Sequence, residues 1–275
     1  MEDHLRVELD RGEHREAVRR SAPSTLIVYE AIRREGEHEL QRPNAALAWS
    51  GLAAGLSMGF SFVAEALLHA HLPETPWRPL ISKFGYSIGF LIVILGRQQL
   101  FTENTLTPIL ELLVRKKTST LVHVLRLWAV VLLANMIGAY AFAWGISNTS
   151  IFEADIRQVF ASLGHEGLTA PFWTVLLRAV FAGWLIALMV WLLPFAETGR
   201  VAVIVLITYV IGLGGFAHII AGSVETLAAV VVGAASWGTF LGKFFVPTLL
   251  GNIIGGMALV AAVSYAQIAS EKQLT

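Results

Sequence analysis

Two polar interruptions in otherwise apolar sequence hold the side chains that can do chemistry. The stretch "GLGGFAHIIAGS" carries His218, the only histidine deep in an apolar span. The stretch "LGRQQLFTENTLTP" (Leu95–Pro108) carries Arg97, Gln98, Gln99, Thr102, Glu103 and Asn104. Imidazole titrates near neutral pH and can donate to an anion or pass it a proton. A bare anion in a narrow apolar pore is costly and its protonated weak-acid form far cheaper, so His218 is expected to be both donor and proton relay. Thr102 would orient the ring, donate to the anion, or cap the half-helix that follows. Leu100, Phe101 and Phe216 flank the breaks and are candidate apolar constrictions. Arg97 and Glu103 are expected to pair across their loop, because a lone charge at that depth is expensive. An intramembrane serine hydrolase built on His218 and Ser223 is disfavoured: there is no G-x-S-x-G elbow, and both residues would sit on one short segment.

The composition says what must position these groups. The chain has 275 residues, 55% hydrophobic and 15% charged, with a mean hydropathy of +0.64, the balance of a polytopic, all-α membrane protein. A net charge of zero gives no electrostatic case for nucleic acid. The absence of cysteine removes disulfides and thiolate chemistry. No H-E-x-x-H or similar ligand cluster is present, so no metal and no cofactor are expected.

A bilayer core of about 30 Å needs about 20 helical residues. The apolar blocks Ala45–Ala70, Leu121–Trp144, Phe172–Phe195 and Phe244–Ala269 are each long enough, while Phe84–Leu95 with Leu106–Val114, and Val201–Gly212 with Val224–Ala235, are pairs of short pieces around the two breaks. Six crossings result, with broken second and fifth helices. The membrane domain is expected over residues 44–270, between a charged N-terminal tail (1–43) and a short C-terminal tail (271–275). Within the first tail an amphipathic helix is expected from Ser24 or Thr25 to near Gly36. The N-terminus is polar and Arg-rich, so no cleaved leader is expected. Lys and Arg place Arg115, Lys116, Lys117, Arg126 and Arg200 on the tail side, which predicts both termini in the cytoplasm and a multi-pass inner (plasma) membrane protein in contact with the lipid bilayer.

The two halves repeat. "LANMIGA" (Leu133–Ala139) and "LGNIIGG" (Leu250–Gly256) share Leu, Asn, Ile and Gly in register; Thr102 precedes Asn135 by 33 residues and His218 precedes Asn252 by 34. Three spans per half require opposite senses of crossing, hence an inverted 3+3 repeat with Thr102 mirroring His218. Lipid offers no hydrogen bonds, so each break must be buried in protein or line a wet cavity. The second piece of each broken span starts near mid-membrane, with its electropositive N-terminus at the centre, an arrangement that favours a small anion. Asn135 and Asn252 sit in small-residue patches, where they can bond the broken backbone or reach the pore.

These motifs resemble the formate/nitrite transporter family over about residues 44–270. "LFTEN" (Leu100–Asn104) is similar to the family's second-span loop, "GFAH" (Gly215–His218) to its histidine motif, and "LANMIG" and "LGNIIGG" to its paired asparagine motifs. The resemblance implies an aquaporin-like homopentamer with one pore per subunit. It also implies a small monovalent anion (formate, nitrite, hydrosulfide or a short carboxylate) as substrate, with protons involved at His218. The chain departs from the family pattern at Arg97, Gln99, Glu103, Ala187, Ala217 and Gly222, and has no clear outer lysine near Pro171. Two competing functions remain open: a pore for small neutral solutes, and a non-transporting sensor or assembly protein acting through the tail.

Overall fold

Each half of the membrane domain begins where proline stops the preceding chain from being helical. Pro43 and Pro171 both hold extended backbone (φ −62° each) at the N-cap of a long apolar helix, the place where a missing N–H and a fixed φ do no harm. The computed structural model describes residues 10–20 and 24–273. Its helices are α1 (Arg11–Arg20), α2 (Thr25–Gln41), α3 (Asn44–His71), α4 (Arg78–Leu95), α5 (Thr107–Arg115), α6 (Thr118–Asn148), α7 (Ala154–Glu166), α8 (Phe172–Phe195), α9 (Arg200–Leu213), α10 (Ala221–Val231), α11 (Trp237–Met257) and α12 (Ala262–Gln273). There is no strand among the described residues.

Six crossings follow from which residues meet at each end. One cavity is lined by residues of α2, the α4–α5 break, the end of α8 and Arg200; the other by Glu65, Lys83, α7, Arg178, Phe216 and Glu225. The chain therefore crosses as α3, α4–α5, α6, α8, α9–α10 and α11, with α7 lying on the face opposite α2. The first cavity opens on what is called here the tail face, the second on the far face. The tail face also receives the end of the chain, where Lys116 lies 5.9 Å from the Tyr265 ring centre. Five of these helices are long and apolar enough to cross a bilayer, and large side chains such as Trp49, Leu133, Trp173 and Leu250 are exposed on them.

The expected boundaries hold to a few residues, with three instructive shifts. The fourth helix starts at Arg78 rather than Phe84, because Lys83 inside it is neutralised by Glu65 of α3 and so need not stay outside. The second piece of the fifth span starts at Ala221 rather than Val224, because the His218 ring caps it. The last crossing, α11, starts at Trp237 rather than Phe244, capped by Ser236 Oγ accepting the Thr239 N–H at 3.0 Å. Of the expected tails, residues 1–9, 21–23, 274 and 275 lie outside the described residues.

The tail helix does not stop at Gly36. It runs to Gln41 and packs on α5, burying Tyr29, Ile32, Gly36, Glu39 and Leu40. Gly36 is a contact residue rather than a terminator, since a Cβ there would collide with the Thr107 carbonyl. Charge fixes the dock: buried Glu111 of α5 takes Arg33 and Arg115, Arg115 also reaches Glu37, and Arg126 donates to the carbonyls of Leu40 and Arg42 at 2.8 and 3.2 Å. On the solvent side of α2, hydrogen bonds from Arg33 and Arg34 hold the Glu30 carboxyl down at about 2, so this end of the network keeps its charge through the whole physiological range. Gly36→Ala is predicted to lower stability by about 1–3 kcal/mol, the usual cost of overpacking, read as a lower thermal midpoint in detergent. Gly145→Ala is the control: nothing lies within 4 Å of its Cβ position, and it should leave the midpoint within error.

Candidate functional site

The two breaks are built alike, bond for bond. After α4, Gly96 N–H donates to Ile92, Arg97 to Ile94 and Gln98 to Val93 (2.9, 3.2 and 2.9 Å); after α9, Gly214 donates to Val210, Gly215 to Gly212 and Phe216 to Ile211 (2.9, 3.2 and 3.0 Å). Both are Schellman-type ends with one residue in the left-handed region. In the second break that residue is Gly215 (φ 60°), which has no Cβ to strain; in the first it is Arg97 (φ 51°). This conformation carries the Arg97 side chain outward, where its guanidinium bonds Glu35 of the tail helix at 3.0 Å. The expected loop pair with Glu103 is therefore not formed. Glu103 lines the tail-face cavity and has no ion pair among the described residues.

One asparagine then clamps each break. Asn135 Oδ1 accepts the Phe101 N–H (3.0 Å), while its Nδ2 donates to the carbonyls of Gln99 (2.9 Å) and Gly51 (2.7 Å). Asn252 Oδ1 accepts the Ile219 N–H (2.8 Å), while its Nδ2 donates to Ala217 (2.9 Å) and Ala179 (2.8 Å). Both side chains are fully buried. Their role is to satisfy backbone, and neither lines a cavity. One turn beyond the carbonyl that each asparagine holds, Gly55 and Gly183 allow α3 and α8 to touch the Asn135 and Asn252 backbones directly. The clamps also correct the register of the repeat. By hydrogen-bond position the counterpart of His218 is Leu100, and Thr102 corresponds to Ile220. The similar spacing of Thr102 and His218 to their asparagines reflects nearness, not symmetry.

Thr102 and His218 do meet. Thr102 Oγ1 lies 2.8 Å from His218 Nε2, and both residues are almost entirely buried. The other ring nitrogen faces the start of α10, where Nδ1 accepts the N–H groups of Ile220 (3.3 Å) and Ala221 (3.2 Å). A nitrogen that accepts carries no proton, so the neutral ring holds its proton on Nε2, toward Thr102. The partial positive charge of the helix end favours the same neutral form. Phe90 packs edge-on against the ring at 5.0 Å. Ser223 Oγ donates to the Ile219 carbonyl, so Ser223 is not paired with the histidine.

The pair lies between the two cavities. The far-face cavity, about 170 Å³, reaches His218; the tail-face cavity, about 510 Å³, reaches Gln99, Glu103 and Asn104. Of the three expected constriction residues, Phe216 lines the far cavity and stacks on Phe181 at 5.4 Å. Leu100 and Phe101 are fully buried and line neither cavity; Phe101 packs edge-on against Trp128 at 5.9 Å.

Sequence reading missed the charged wall of the far cavity. Glu65 is 3% exposed and holds Lys83. Glu225 lines the same cavity. An available signal was its place seven residues after His218, two turns along one helix face, in a membrane segment where any acid is suspect.

An inverted repeat of three crossings, with paired broken helices and two opposed cavities on either side of a buried histidine–threonine pair, is the architecture of a membrane channel or transporter with an aquaporin-like fold. The profile described as formate/nitrite transporter matches residues 27–266, and the chain belongs to that family. It is 41% identical over 265 residues to the inner membrane protein YfdC of Escherichia coli, covering 96% of this chain and 86% of that one. Two solved structures share the fold. One, a pentameric formate channel with formate bound, has a TM-score of 0.70 at 19% identity, covering 86% of this chain and 99% of that one. The other, an ion channel of the same family, has a TM-score of 0.73 at 19% identity, covering 88% and 98%.

Because each asparagine satisfies three buried backbone groups, Asn135→Leu and Asn252→Leu are each predicted to cost about 3 kcal/mol or more, at about 1–3 kcal/mol per unpaired group. The expected result is loss of assembled protein and a lower thermal midpoint. Normal stability with altered substrate preference would instead mean that the asparagines face the pore.

Proposed function

We propose that the protein conducts a small monovalent weak-acid anion of the formate or nitrite kind, which passes between Thr102 and His218. The observation that carries this reading is the Thr102–His218 hydrogen bond at the partition between two opposed cavities. With Nδ1 held by backbone, His218 presents one N–H, and Thr102 one hydroxyl. The permeant, as the anion or as its protonated acid, exchanges their mutual bond for two donors on entering between them, which compensates part of its lost hydration. Family membership supports the substrate class, as does the formate bound to a structural neighbour. That neighbour's pentameric state, together with the outward apolar side chains, supports a homopentamer with one pore per subunit. The excess of Lys and Arg on the tail face supports a cytoplasmic tail in an inner membrane.

The test is flux of formate, nitrite and a neutral control such as glycerol through purified protein in liposomes. Thr102→Val and His218→Asn each alter one partner of the partition. Each is predicted to lower anion flux by about tenfold to a hundredfold, the range for hydrogen bonds to a charged group, with the protein still assembled. Phe216→Ala should raise flux or loosen selectivity. Transport indifferent to membrane potential and pH, and equal for glycerol, would assign the pore to neutral solutes. Full function without His218 but not without residues 1–43 would assign a non-transporting role.

A further inference from the structure

The far-face cavity carries ionisable groups that the Thr102–His218 pair does not use. Glu65 Oε1 receives Lys83 Nζ, while its Oε2 is buried at the cavity wall with no hydrogen-bond partner. A carboxylate oxygen in that situation is costly unless a proton or cation joins it. Glu225 lines the same cavity and makes no ion pair among the described residues. One lysine thus serves two acids in a space of about 170 Å³ that ends at His218.

Among the described residues, the surrounding elements place no cation inside the cavity besides half-buried Lys83; Arg157 of α7, also half-buried, is outside the lining. From α7 comes Glu166 and from α8 Arg178, both exposed at the rim and opposite in sign. From α4 comes Tyr86, a neutral phenol. On α3, His69 is occupied by Arg78, whose Nη1 lies 3.0 Å from Nε2. The faces of α6 and α11 that pack on α10 are apolar, through Ala139, Ala143 and Phe244; Lys243 is exposed and outside the lining.

We propose that Glu225, with Glu65 beside it, is a proton-loading site that converts the incoming anion to its neutral acid before it reaches His218. Two carboxylates sharing one cation in a confined space do not both stay ionised, so Glu225 holds the extra proton. In the loading step the Glu225 O–H bond breaks and an O–H bond forms on the anion. The negative charge passes from anion to Glu225, and the charge of the cavity is unchanged. Water on the far face then returns a proton to Glu225. One anion and one proton cross per cycle, and no further reactant is needed. The location follows from His218 itself, whose Nδ1 would have to release two backbone N–H groups to take up a proton. This site rests on the anion reading above.

The experiment compares wild-type protein and Glu225→Gln for labelled formate uptake into liposomes between about pH 5 and pH 8. At low pH the solution supplies formic acid, and the variant should stay within about twofold of wild type. At about pH 7.5 it should fall at least about tenfold, the low end for loss of a general acid being larger still, and Glu225→Asp should recover most of the loss. pH profiles that run parallel at any level overturn the proposal. Since a variant can fail to assemble, wild-type protein is also treated with dicyclohexylcarbodiimide, which modifies buried protonated carboxyls. Modification at Glu225, slowed by formate, is expected; an unmodified Glu225 overturns the proposal. Wild-type protein that moves none of the weak acids overturns the anion reading as well, whereas a transporting wild type with parallel profiles overturns only the loading site.

Discussion

Backbone that leaves the helix at membrane depth must find its hydrogen bonds inside the protein, because lipid supplies none. Everything that gives this chain a pore depends on how that demand is met. Asn135 and Asn252 meet it with the same three bonds in each half, so the two breaks are rigid rather than loose loops. The clamp on Ile219 and Ala217 fixes the backbone on both sides of His218. The clamp on Phe101 and Gln99 does the same just before Thr102. A hydrogen bond of 2.8 Å between side chains of opposite halves is possible only because both supports are fixed.

Fixing the histidine also fixes its proton. Its Nδ1 satisfies two of the N–H groups that every helix start leaves unpaired, which removes the electropositive helix tip as a free anion site. What reaches the pore is a single Nε2–H and the hydroxyl beside it. Such a partition donates hydrogen bonds but carries no formal charge, so a bare anion would still lose much of its hydration free energy there. The far cavity is lined by Glu65, Glu225 and Lys83, with Glu166 and Arg178 exposed at its rim, so its acids outnumber its cations, the reverse of an anion trap. These features agree if the species that crosses the partition is neutral and its proton is acquired beforehand.

Much of this was legible in the sequence, and the limits have physical causes. The breaks could be read because polar residues and Gly212, Gly214 and Gly215 interrupt runs too apolar to be loops. The clamps could be anticipated because a buried asparagine repeated in matching positions has backbone to satisfy. Pairings across elements could not be read. Arg97 looked like a partner for nearby Glu103, but its left-handed backbone turns it to Glu35, 62 residues earlier. Gly36 looked like a helix end, and only the α5 backbone against it shows that it is a contact. Thr102 looked like the mirror of His218 because spacing along the chain does not distinguish a symmetry mate from a neighbour across the axis.

The position of Arg97 ties the tail helix spatially to the break. A non-glycine residue in the left-handed region costs on the order of 1–3 kcal/mol where the surroundings must hold it, and the corresponding position in the other half is a glycine. The side chain placed there bonds Glu35 on α2, which is itself held by Glu111 of α5 just beyond the break. The break thus has α2 attached to it at both ends, through Arg97 before and through Glu111 after. A shift of α2 off α5 would release Arg97 from Glu35 and expose the buried carboxylate of Glu111, so the helix and the break are mechanically one unit. The tail-face mouth is accordingly shaped by the same residues that keep the first half of the repeat folded, with Glu35 and Glu39 of α2 among the side chains that line it.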